Sequence, residues 1–120
     1  MDKRKPTILQ IETQTTESTL TFKVDADLTD FKGHFKGFPI LPGVTQIDWA
    51  LAYAIQELAV PSQFKGMEVI KFQEPILPDA TVTLTLKWDS DKQKLAFSYT
   101  SDNGNCTHSS GKMKLGEKSE

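Results

Sequence analysis

The chain has 120 residues, 38% of them hydrophobic and 25% charged, with a formal net charge of −2. That is one domain's worth of soluble globular chain with room for a single core. The slight acidity gives no support to nucleic-acid binding, and no run of eighteen apolar residues is present to cross a membrane.

In chain order, residues 1–6 are charged and end in Pro6, so a frayed start is expected. The stretch has no apolar core, so it does not read as a secretory signal. Ile8–Thr13 is a candidate strand. Leu20, Phe22 and Val24 alternate with polar residues, which is strand periodicity with one buried face. The two runs are expected to form a hairpin across the polar Gln14–Ser18 segment. Asp25–Asp30 is acidic and loop-like. It leads into a glycine-flanked loop carrying His34, and then Pro39, Pro42 and Gly43.

After Gly43 comes the longest helix-compatible run. Val44, Ile47, Leu51, Ile55 and Leu58 recur at three- and four-residue spacing, with Ala50 and Ala54 beside them, predicting a buried face, and Pro61 ends the helix near Ala59. Asp48 falls on or at the edge of that face. A carboxylate there is costly unless paired, hydrogen-bonded or protonated. Thr45 and Asp48 also fit a capping box, which starts the helix at Thr45. Spacing alone leaves both readings open, as it leaves His34 open between a surface residue and a base.

Residues 62–66 read as a loop and Met67–Phe72 as a buried strand that Pro75 and Pro78 end. Thr81–Trp88 is the clearest strand, with Leu95–Tyr99 next. Asp102-Asn103-Gly104 signals a hairpin turn, because Asn-Gly adopts positive φ readily. Cys106–Leu115 is the last strand, and 116–120 a charged tail. The pattern is α+β: two strands, one apolar helix, then four strands with short antiparallel connections. The single cysteine, Cys106, cannot form an internal disulfide, which suits a reducing cytoplasm. No Cys/His cluster suggests a metal.

The segment His34-Phe35-x-Gly37-x-Pro39-x-x-Pro42-Gly43-Val44-x-x-x-Asp48 resembles the active-site signature of the 3-hydroxyacyl-ACP dehydratases. In that family a Glu or Asp lies fourteen residues after the histidine, and here 48 − 34 = 14. The wording ILPGVTQIDWAL is closer still to the short dehydratases of aryl-polyene clusters. The resemblance covers roughly residues 28–115. It implies a hotdog fold, a curved antiparallel sheet wrapped around a central helix. It also implies removal of water from a 3-hydroxyacyl thioester to give a trans-2-enoyl thioester.

In this reading His34 is the base at C2 and Asp48 the acid at the 3-hydroxyl. An apolar helix flank would favour the protonated carboxyl that this needs. The N–H groups of Gly43 and Val44 would bind the thioester oxygen, since helix N-termini carry free donors. No cofactor is implied beyond the phosphopantetheine of the acyl carrier protein that presents the substrate. The family brings His and Asp together across a dimer interface, so a homodimer is expected.

Phe31, Phe35, Phe38, Ile40 and Trp49 are candidate acyl-tunnel residues, against a default of core packing. Lys32, Lys36, Lys65 and Lys71 are candidate contacts to the acidic carrier, against a default of solvated lysine. Three positions depart from the family pattern: Lys36 for a proline, Phe38 for a small or charged residue, and Pro78-Asp79 for Pro-Gly. Two other functions fit the same fold, a thioesterase using Asp48 to activate water and a non-catalytic acyl-binding subunit.

Overall fold

A computed structural model describes residues 3–31 and 39–117. His34, Phe35, Phe38, Lys32 and Lys36 therefore lie outside the described residues. Six strands and one long helix follow one another: β1 Thr7–Thr13, β2 Glu17–Lys23, α1 Gly43–Leu58, β3 Gln63–Phe72, β4 Thr81–Asp89, β5 Lys94–Ser101 and β6 Cys106–Gly116, with a short 3-10 turn at Thr29–Phe31. The strands form one sheet in the order β1-β2-β4-β5-β6-β3, antiparallel throughout. This is the α+β hotdog architecture.

Period-two patterning builds the core. Leu20 and Phe22 of β2, Val82, Leu84 and Leu86 of β4, and Leu95, Phe97 and Tyr99 of β5 all point to the helix side and are buried. Phe22 is the hub, edge-on to Trp49 at 5.7 Å and to Tyr99 at 6.2 Å between ring centroids. Register aligns Leu20, Leu84, Tyr99, Ser109 and Phe72 in one row across five strands. That row passes beneath the start of α1.

The helix is turned so that the centre of its buried face lies away from Val44 and Ile55, while Ala50 and Ala54 are buried as expected. Thr45, Gln46, Trp49, Ala50, Tyr53 and Ala54 are buried on the sheet. Val44 stays 71% exposed and Ile55 38% exposed, while Ile47, Leu51 and Leu58 are only partly buried. Tyr53 is nine residues from Val44, two and a half turns, so the two point in opposite directions. The physical reason is fit. Ala50 and Ala54 let the helix approach the sheet closely, and Trp49 and Tyr53 fill the space beside them. Ile47, Leu51 and Leu58 pack along the edge of the core, and the outer line of the aliphatic stripe, Val44 and Ile55, is left uncovered in the single chain.

Three other expectations need correction. Residues 3–6 are tied down: Lys3 pairs with Asp25 at 3.2 Å and Asp27 at 3.4 Å, Trp49 Nε1 donates to the Arg4 carbonyl at 3.0 Å, and Pro6 is buried. Residues 63–66 belong to β3, which is longer than expected because bulges near Gly66 and Glu68 let it follow β6. That strand is not buried but a sheet edge, with Phe64, Val69, Ile70 and Phe72 exposed. The β1–β2 hairpin, the helix end before Pro61 and the turn at residues 102–104 agree with expectation. The helix closes at Ala59 in the left-handed conformation, and Asp102, Asn103 and Gly104 all have positive φ.

Candidate active site

The start of α1 is unusual for lacking a side-chain cap. Pro42 is the N-cap, and its carbonyl accepts from the N–H groups of Thr45 and Gln46 at 3.1 and 3.2 Å. The capping-box reading of Thr45 and Asp48 does not hold: Thr45 Oγ1 donates instead to Asp30 Oδ2 at 2.5 Å. Arg4 Nε holds the other oxygen of Asp30 at 3.0 Å. The N–H groups of Gly43 and Val44 have no partner among the described residues. Two free donors at a helix N-terminus attract a partial negative charge.

A cavity of about 390 Å³ opens beside them, walled by Ile40, Leu41, Gly43, Phe72 and Pro75, with Gln46 and His108 supplying polar surface. The tip of the Phe72 ring closes on Gly43: a Cβ built there would sit 2.6 Å from Phe72 Cζ. Only glycine lets backbone and ring approach so closely.

Beneath the cavity runs a buried polar network. Gln46 Nε2 donates to the Leu41 carbonyl at 3.2 Å, Ser109 Oγ donates to Gln46 Oε1 at 2.6 Å, and the Tyr99 hydroxyl donates to the Gln46 carbonyl at 2.7 Å. Burial, with the nearby Tyr53 second, pushes the Tyr99 hydroxyl well above its ordinary pKa, so it stays a donor. His108 Nδ1 is 3.0 Å from the Glu74 carbonyl, which can only accept; the proton is therefore on Nδ1. Its Nε2 then accepts from Ser101 Oγ at 2.8 Å.

Asp48 sits one turn after Val44, in the middle of the uncovered stripe, and is itself exposed. The apolar flank expected to desolvate it is thus open in the single chain. Of the candidate tunnel residues, Ile40 lines the cavity, whereas Phe31 and Trp49 are buried core residues away from its wall. Lys65 and Lys71 are exposed on β3. Gln46, Tyr99, Ser109 and His108 escaped the sequence reading. Local patterning marks none of them, because Gln46 finds its strand partners through sheet register rather than through neighbours in sequence.

Among the described residues no group of His, Cys, Asp and Glu could hold a metal ion, and no helix is long and apolar enough to cross a membrane.

Residues 10–112 match the model of a family described as ApeI-like, ApeI dehydratase. The chain belongs to the ApeI-like dehydratase family. Among solved structures, this ApeI-like chain is similar to the dehydratase heterocomplex ApeI:P from Xenorhabdus doucetiae, with 40% identity, TM-score 0.84, and coverage of 92% of this chain and 96% of that one. An uncharacterised protein from Erwinia carotovora matches at 43% identity and TM-score 0.82, covering 94% and 97% of the two chains. Of curated proteins, a 3-hydroxyacyl-[acyl-carrier-protein] dehydratase from Polynucleobacter necessarius is 34% identical over 83 residues, 60% of this chain and 55% of that protein. The match thus spans about half the length of that curated relative.

Proposed function

We propose that this protein removes water from 3-hydroxyacyl thioesters carried on an acyl carrier protein, giving trans-2-enoyl thioesters in fatty-acid or aryl-polyene-like biosynthesis. The observation that carries the reading is a largely apolar cavity at the start of α1, where the N–H groups of Gly43 and Val44 have no partner among the described residues, with the exposed Asp48 carboxylate one turn along the same helix. The family membership and the name of the Polynucleobacter relative support the same chemistry.

In this reading His34 takes the proton from C2. The electrons form the C2–C3 double bond, and the C3–O bond breaks. Asp48 gives its proton to the departing hydroxyl, which leaves as water. The N–H groups of Gly43 and Val44 hold the thioester oxygen while negative charge builds on it. Such donors act best where water is excluded, and one chain alone does not exclude it: the Val44–Asp48–Ile55 stripe is open.

A second copy of the chain supplies the missing cover. The stripe on α1 and the apolar β3 edge are both exposed, and an open strand edge favours pairing. A homodimer joined there shields Asp48 and brings the partner copy's histidine loop to it. The competing occupant is a different subunit, because the Xenorhabdus relative is a heterocomplex. The single cysteine fits work in the reducing cytoplasm. Lys65 and Lys71 are the described candidates for contacting the acidic carrier.

Intact-mass analysis of a 3-hydroxyacyl carrier protein tests the reaction. Loss of one water with the thioester intact is expected. Release of the free acid would instead indicate a thioesterase, and binding without any mass change an acyl-binding subunit.

A further inference from the structure

We propose that Gln46 is a positioning residue for the backbone donors at Gly43 and Val44, a role that rests on the dehydratase reading above. Gln46 is 4% exposed and faces the sheet, where an apolar side chain would pack without any need for partners. Its polar groups instead tie three separate parts of the chain together.

The side-chain N–H reaches back to the Leu41 carbonyl, on the far side of Pro42 from the helix. Leu41 is held from the other direction by its own N–H, which donates to the Ile76 carbonyl at 2.9 Å, and its side chain is buried. The Oε1 of Gln46 is fixed by Ser109 on β6, and its main-chain carbonyl by Tyr99 on β5. Tyr99 and Ser109 are register partners, so both bonds stand on one rung, on adjacent strands of the sheet.

Gly43 and Val44 lie between the two ends of this clamp, with Leu41 before them and Gln46 after. The helix start has no side-chain cap to fix it. Gln46 does that work from within. Donors aimed at an oxyanion act through preorganisation, so a shift of a few tenths of an ångström weakens them where charge develops more than where substrate merely binds.

The test uses Gln46→Leu and Gln46→Glu in the full chain, with two readouts. The first is kcat and KM for dehydration of a 3-hydroxyacyl carrier protein between pH 6 and 8. The second is amide hydrogen exchange over residues 41–46 against β4 and β5. Gln46→Leu is expected to lower kcat at least tenfold with KM changed less than threefold, and to speed exchange in 41–46 while β4 and β5 stay protected.

Gln46→Glu keeps the shape. Ionised, it turns an oxygen toward the Leu41 carbonyl and loses the bond. Protonated, it donates again. Burial raises such a carboxyl's pKa, so the kcat of this variant relative to wild type is expected to recover as pH falls from 8 to 6. Wild-type kcat in Gln46→Leu, loss of protection spread equally over β4 and β5, or a Gln46→Glu defect independent of pH would each overturn the role. If wild type dehydrates nothing, the reaction reading fails by itself. Exchange in 41–46 still decides whether Gln46 holds the helix start: unchanged exchange in Gln46→Leu overturns the clamp.

Discussion

The uncovered stripe on α1 makes the strongest quantitative demand. Full burial of a Val or Ile side chain is worth about 1.5–3 kcal/mol. Val44 retains 71% of its exposure and Ile55 38%, so together they hold back roughly 1.6–3.3 kcal/mol per chain on that scale. A two-fold dimer gains it twice. Substituting Ile55→Lys removes roughly 0.6–1.1 kcal/mol of that gain per copy and places a charge in each half of the joint. At about 1.4 kcal/mol per tenfold in affinity, dimerisation should weaken at least tenfold. The monomer should barely notice, because single surface substitutions stay within about 0.5 kcal/mol. Sedimentation velocity across a concentration series, with circular dichroism to confirm folding, reads both quantities. Activity should fall in proportion to the dimer lost. A wild-type chain that is monomeric and fully active at assay concentration, unaffected by Ile55→Lys, would refute the reasoning.

Other consequences follow from single residues. Gly43→Ala puts a methyl 2.6 Å from Phe72 Cζ. Phe72 is 53% exposed and can swing aside, so the fold should survive while kcat drops about tenfold or more through displaced donors; the double variant Gly43→Ala/Phe72→Leu should recover part of it. Asp25 is held below the usual carboxylate range, first by the Thr7 hydroxyl and then, against desolvation, by Lys3. Its stabilisation is complete above about pH 5 and is lost as pH falls through the lowered folded value. Tm measured from pH 7 to 3 should therefore fall less steeply in Asp25→Asn than in wild type. Asp79 has φ 67° and donates its N–H to the Val24 carbonyl at 2.6 Å. Asp79→Val should cost about 2 kcal/mol, and Asp79→Gly should stay within about 1 kcal/mol of wild type, read by urea unfolding.

That last residue shows how local signals carried the fold. Where the family pattern named above has Pro-Gly, Asp79 adopts the left-handed conformation itself and its Oδ1 accepts from the Ala26 N–H at 3.2 Å. The turn survives the substitution. The strands were legible because β2, β4 and β5 each bury alternate residues against one helix, so period two is written plainly in Leu20–Phe22, Val82–Leu86 and Leu95–Tyr99. The helix was legible as an element, but its orientation was not. Apolar residues run most of the way round it, and aliphatic spacing centred the buried face on Val44 and Ile55, which the sheet does not cover. β3 misled for the same reason: its apolar residues belong to an open edge rather than a core.

The site was legible only in part. The motif singled out Gly43, Val44 and Asp48 through their spacing. It said nothing of Tyr99 or Ser109, which reach the helix start from strands more than fifty residues away through sheet register, or of His108, which lines the cavity beside them. Trp49 illustrates the opposite failure. An aromatic beside the motif suggested a tunnel wall, yet its indole packs on Phe22 and ties down the Arg4 carbonyl.

The central claim is the elimination itself, with Asp48 and His34 as its acid and base. The most direct measurement is the intact mass of 3-hydroxyacyl carrier protein after incubation with wild type, His34→Ala and Asp48→Asn. Loss of one water with wild type alone is the expected result. An unchanged mass across acyl groups of different length and character, or full dehydration by either variant, would contradict it.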